Sequence, residues 1–112
     1  EQASVSDPLF TCSGKKALAN GRMTNDGFVV YKDSTATAQL SHTAIKKNKN
    51  NVEKLITNGY LLKKDNDLYV FIKDYVFNSP SAASNIILGN STNGWQMWKD
   101  KDGKTLEDVY KK

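Results

Sequence analysis

Residues 79–89, Ser-Pro-Ser-Ala-Ala-Ser-Asn-Ile-Ile-Leu-Gly, spell out both ends of one short helix. The Ser79 hydroxyl can accept from a first-turn N–H, as an N-cap does. Pro80 suits the first helical position, where its missing N–H is no loss. Ala82 and Ala83 allow close packing, Ile86, Ile87 and Leu88 are apolar, and Gly89 supplies the left-handed stop. The remainder of the chain is cut by Gly, Asn and Asp at short intervals, so its other elements are mostly short strands.

Leu9–Ser13, Ala17–Thr24 and Phe28–Tyr31 form an antiparallel meander, with Asn25-Asp26-Gly27 as a tight turn. Asp33–His42 is small and polar and is expected to be a loop. Ala44–Asn58 is expected to be a helix, with Ala44, Ile45, Val52, Leu55 and Ile56 roughly on one face and Gly59 at its C-cap. Tyr60–Leu62 and Leu68–Ile72 flank the polar turn Lys63–Asp67 as a hairpin. Trp95–Trp98 alternates as a short strand, Asp102-Gly103 is a turn, and Thr105–Tyr110 closes the chain. The order β-β-β-α-β-β-α-β gives an α+β fold: antiparallel hairpins, two main helices and a wing-like C-terminal helix-plus-hairpin unit. Residues 9–112 read as a single domain. Glu1–Pro8 reads as a linker end, and the missing initiator Met suggests a piece of a longer protein.

Several chemistries lack the residues they need. One Cys excludes an intramolecular disulfide, and one Cys with one His excludes a zinc site built from several such ligands. Cys12 and His42 are the one available Cys–His pair; Cys12 reads as a small strand residue and His42 as a loop residue. No phosphate-binding P-loop, G-x-G-x-x-G or G-x-S-x-G occurs. Asp100, Asp102, Gly103 and Glu107 resemble a calcium loop only superficially. Aligning Asp102-Gly103 with the fifth and sixth loop positions puts Trp98 at the first. No catalytic residue, metal or cofactor is therefore expected. No stretch of about 18 apolar residues would cross a membrane, and a free thiol fits a reducing cytoplasm.

The charge is +4, from 16 basic and 12 acidic residues. Fifteen of the cations are Lys and one is Arg. Lysine contacts phosphates as a point charge, whereas bidentate reading of guanine favours Arg. Two groups are candidate phosphate contacts. The first pairs the helix start at Ser79 and Ser81 with the hairpin cations Lys99, Lys101 and Lys104; Asn85, Asn93 and Trp98 complete it. Helix starts offer free N–H groups and partial positive charge. The second is Lys46, Lys47 and Lys49, which otherwise form a solvated helix face. Trp95 and Trp98, three apart, point to opposite faces of a strand, one for the core and one for solvent.

Phe77–Leu106, FNSPSAASNIILGNSTNGWQMWKDKDGKTL, resembles a bacterial domain family of unknown function that accompanies GIY-YIG-type nucleases. Upstream, Ala17–Gly21, Gly27–Ser34 and the Val52–Gly59 helix end are similar to other segments of that family. The resemblance covers most of residues 10–107. The C-terminal half is also similar to the RAMA domain, which accompanies restriction enzymes and adenine methylases and is associated with DNA binding. Asp33 stands where the family usually has Gly, Ser84 where it has Ala, and Asn90 where it often has Arg. The resemblance implies a noncatalytic accessory domain that binds nucleic acid, duplex DNA favoured and modified DNA included, for a linked catalytic domain. Two alternatives remain: a protein–protein or oligomerisation module anchored by Trp98, Tyr60 or Tyr75, and a nucleotide or anion sensor at Ser79–Ser81.

Overall fold

The computed structural model describes residues 9–38 and 45–110. Its strands are β1 (Phe10–Gly14), β2 (Ala17–Thr24), β3 (Gly27–Val30), β4 (Thr35–Thr37), β5 (Leu61–Lys63), β6 (Leu68–Phe71) and β7 (Tyr75–Phe77). Its helices are α1 (Ile45–Thr57), α2 (Pro80–Leu88), α3 (Gly94–Met97) and α4 (Leu106–Tyr110). The strands make two antiparallel sheets, in the orders β1-β2-β3-β7 and β4-β6-β5. The fold is α+β, with a Cα radius of gyration of 13.0 Å, as one domain of this length should have (about 13 Å).

The two sheets share one bent ribbon. Phe28 pairs with Phe77 and Val30 with Tyr75 in the first sheet. Thr35 pairs with Val70 and Thr37 with Leu68 in the second, in the same alignment. Residues 28–37 and 68–77 are therefore one antiparallel ribbon that bends near its middle. At the bend Asp33 N donates to Phe71 O and Phe71 N to Ser34 O, both at 2.8 Å. Lys32 N donates to the Asp74 carboxylate at 2.7 Å. Asp33 takes φ 76°, a left-handed conformation that Asp tolerates better than most residues.

Beyond the bend, β2 has lost its neighbour. The hydroxyls of Ser34 and Thr35 replace it, each accepting from and donating to the backbone of Asn20 and Leu18 respectively. The backbone groups of Leu18 and Asn20 are thereby satisfied without a strand partner on that edge. β4 lies in the segment expected to be a loop. Thr35 and Thr37 are β-branched and suit a strand, and the ribbon pairing to β6 with the burial of Ala36 and Thr37 fixes the conformation.

α2 packs on β1, β2 and β4, and Ala83, Ile86, Ile87 and Leu88 are buried. Phe10, Phe28, Val30, Phe71, Trp98 and Leu106 fill the rest of the core. The helix ends expected from sequence are present: Ser79 Oγ accepts from Ala82 N at 3.1 Å, and Gly89 is left-handed at φ 71°. α1 buries Val52 and Leu55, but Ile56, expected on the same face, is 37% exposed.

The C-terminal third departs most from expectation. Gly94–Met97 is a helical turn, not the expected strand, because Asn93 Oδ1 accepts from Trp95 N and caps it. Residues 106–110 are helical too. Thr105 and Asp108 cap each other reciprocally, Thr105 N to Asp108 Oδ2 and Asp108 N to Thr105 Oγ1, an Asp version of the capping box. The expected wing is a short hairpin, in which Asp100 N donates to Lys104 O at 2.8 Å. Lys99 forms isolated bridges with Thr105 and, through two backbone bonds, with Thr11 at the edge of β1. His42 and residues 1–8 lie outside the described residues.

Candidate nucleic-acid interface

The polar residues between Ser79 and Trp98 hold α2 against the chain that returns over it. Ser81 Oγ accepts from Gly94 N at 2.8 Å. Asn85 Oδ1 accepts from Thr92 N and Oγ1 at 2.7 and 3.0 Å. The buried Ser84 hydroxyl lies 2.5 Å from that of Thr92. Trp98 Nε1 donates to Pro80 O at 3.1 Å, and the indole is 0% exposed. It packs on Phe28 with ring centroids 4.5 Å apart.

Four expected contact residues thus have structural work. Ser79, Ser81, Asn85 and Asn93 each accept a bond from the chain itself. Trp98 is corrected outright: it is sealed in the core and can neither stack on a base nor anchor a partner. The helix start is covered as well. Pro80 has no N–H, Ala82 and Ala83 donate to Ser79, and Gly94 lies against Ser81 N. The phosphate cradle expected at Ser79–Ser81 is closed by the protein's own residues. Asn90 Oδ1 is buried with no partner among the described residues, so that position offers an unsatisfied acceptor and no cation.

Lys99, Lys101 and Lys104 are exposed on the short loop, but Asp100 and Asp102 lie between them. Three cations against two anions leave +1 on residues 99–104. Asp100 also shapes the loop, its Oδ1 accepting from Asp102 N and Lys104 N, both at 2.9 Å.

α1 has a different balance. Its Lys46, Lys47, Lys49 and Lys54 face one acid, Glu53, for a net +3 in a chain whose total is +4. Its first turn has no acidic residue and contains Lys46 and Lys47. That is the unfavourable end of the helix dipole for a cation. Lys49 and Lys54 are exposed; the side chains of Lys46 and Lys47 lie outside the described residues.

Beside α1 lies a cleft of about 240 Å³, lined by Asn51, Lys54 and Leu55 of α1, Asn58 in the turn just past it, Tyr75 and Phe77 of β7, Asn78, and Ala82 and Ile86 of α2. Asn51 and Lys54 share one stripe of the helix, as i and i+3 positions do, and Asn58 follows in the turn past its end. Tyr75 is held edge-on between Tyr60 at 4.7 Å and Phe77 at 4.8 Å. Lys73 Nζ sits over the Tyr60 ring at 5.7 Å. Composition signals the density of Lys and Asn in residues 46–58. It does not signal the cleft, because Asn78, Tyr75 and Ile86 come to it from later segments of the chain.

Burial pushes the Cys12 thiol from 9.0 up to about 12, which keeps it protonated and unreactive. Among the described residues no group of three or more His, Cys, Asp or Glu could hold a metal ion. No helix among them is long and apolar enough to cross a membrane.

No curated protein matches the chain. No solved structure matches it either. The sequence profile described as Domain of unknown function (DUF4357) matches residues 10–110, nearly the whole chain. The protein therefore belongs to the DUF4357 family.

Proposed function

We propose that this domain is a noncatalytic nucleic-acid-binding module, with duplex DNA as the favoured partner, and that α1 presents the contact surface. The observation that carries this reading is the concentration of charge: the α1 lysines give a net +3 in a chain of net +4. Exposed lysines bind phosphates through counterion release and need no fixed geometry. Keeping lysines in the first turn of α1, against the dipole, costs the isolated fold stability and is repaid when phosphates approach. The resemblance of Phe77–Leu106 to domains that accompany GIY-YIG-type nucleases, and of the C-terminal half to RAMA domains, supports a linked nuclease or DNA-modification enzyme as the catalytic partner. A cytoplasmic setting follows from that role.

The loop cations Lys99, Lys101 and Lys104 play a secondary part here, because Asp100 and Asp102 offset them. The protein–protein reading loses Trp98 to the core, and its other anchors, Tyr60 and Tyr75, are half-buried against each other. Electrophoretic shift at low salt with unmethylated and adenine-methylated duplexes tests the proposal. A shifted species that weakens steeply as salt rises is expected. No shift at tens of micromolar protein would contradict it.

A further inference from the structure

We infer that the cleft between α1, β7 and α2 is a pocket for a single unstacked nucleobase, adenine favoured, drawn from a strand that lies along α1. The inference rests on the nucleic-acid reading above and deepens it.

The lining selects for a planar ring with polar edges. Asn51, which is half-buried, and Asn58 and Asn78, which are exposed, line the cleft, and none of their side chains has a hydrogen-bond partner among the described residues. The chain's asparagines elsewhere are often engaged: Asn20 accepts from Thr11, Asn85 from Thr92 and Asn93 from Trp95. A carboxamide presents a donor and an acceptor side by side, which matches the edge of a base and pairs bidentately with adenine N6 and N7. The floor supplies the apolar contact that a ring needs, from Leu55, Ala82, Ile86 and the aromatic pair Tyr75 and Phe77. Lys54 also lines the cleft, with no ion pair among the described residues, and is placed to meet the phosphate of the same nucleotide.

Size agrees with that class. At roughly 30 Å³ per water, about 240 Å³ equals about eight waters, room for one or two fused rings. Sites for drug-sized ligands run to roughly 300–1,000 Å³. Other ligand classes fit the lining poorly. A bare anion would meet one ammonium and no free helix start. A metal would find no carboxylate among the lining residues. An apolar side chain would leave the half-buried Asn51 carboxamide unpaired as it displaced its water.

Fluorescence anisotropy with three labelled duplexes of one sequence tests the pocket: fully paired, with one bulged adenine, and with a bulged abasic site. The full chain should bind the bulged-adenine duplex about tenfold tighter than the abasic one. Asn51→Ala and Asn78→Ala should each remove most of that ratio, without changing affinity for the paired duplex or the thermal unfolding curve. Equal affinity for the two bulged duplexes overturns the pocket and leaves duplex binding standing. A ratio that survives in both variants also overturns it, since the base is then held elsewhere. Binding to none of the three overturns the nucleic-acid reading and this inference with it.

Discussion

Gly94 is the position at which one atom matters most. A Cβ there would lie 2.2 Å from Pro80 C and 2.3 Å from Ser81 N, both backbone atoms that cannot swing aside. Its N–H also donates to Ser81, so α3 and α2 meet through bare backbone. Gly94→Ala should therefore destabilise the domain by about 3 kcal/mol, read as a lower urea midpoint; an unchanged midpoint would mean that the two helices separate freely. The sequence marks Asn93-Gly94 as a turn, but the need for glycine comes from a contact fourteen residues away. Trp98 teaches the same point. Its spacing from Trp95 puts the two rings on opposite faces only in a strand, and the Asn93 cap makes the segment helical. Cys12 gives a prediction in pH. Its thiol is held neutral in the fold, with its pKa raised from 9.0 to about 12. Its contribution to stability is therefore complete below about pH 9 and falls as pH rises from there towards about 12. At about pH 8 a thiol reagent should label Cys12 only as fast as the domain opens, so labelling should accelerate with denaturant. Rapid labelling of the native protein would contradict the burial.

At the scale of elements, legibility follows the range of the interactions. α2 is legible because its signals are local: the Ser79 cap, Pro80, the apolar run and Gly89 all lie within the helix or beside it. The β1–β2–β3 meander is legible because its turns are short and chemically marked. The bent ribbon is not. Its two halves lie about forty residues apart, and the pairing of Thr35–Thr37 with β6 leaves no mark in the composition of either. α4 could have been found, since Thr105 and Asp108 stand at capping-box spacing. The bend supplies a test at this scale. Asp33 sits at φ 76° with an exposed side chain, where a residue without Cβ is least strained. Asp33→Gly should stabilise the domain by up to about 1 kcal/mol, seen as a rise in melting temperature. A fall would mean that the carboxylate contributes to the bend beyond its backbone conformation. For the candidate site, the sequence shows the lysines of residues 46–54 but not the cleft beside them, which three elements assemble.

At the scale of the whole molecule the question is where the net charge acts. Summed over the chain, +4 is modest; resolved by element, α1 has +3 and the 99–104 loop +1. Because each phosphate contact contributes about −0.9 to the dependence of log K on log salt, the two surfaces can be told apart without a structure of the complex. The most direct measurement is that slope on a fully paired duplex, for the wild type and two charge variants. One variant replaces Lys46, Lys47, Lys49 and Lys54 with Gln, and the other replaces Lys99, Lys101 and Lys104 with Gln. The α1 variant is expected to lose about 3 to 4 units of slope and most of the affinity at low salt, while the loop variant stays close to wild type. An α1 variant that binds as wild type does, or a loop variant that loses the slope instead, would contradict the account.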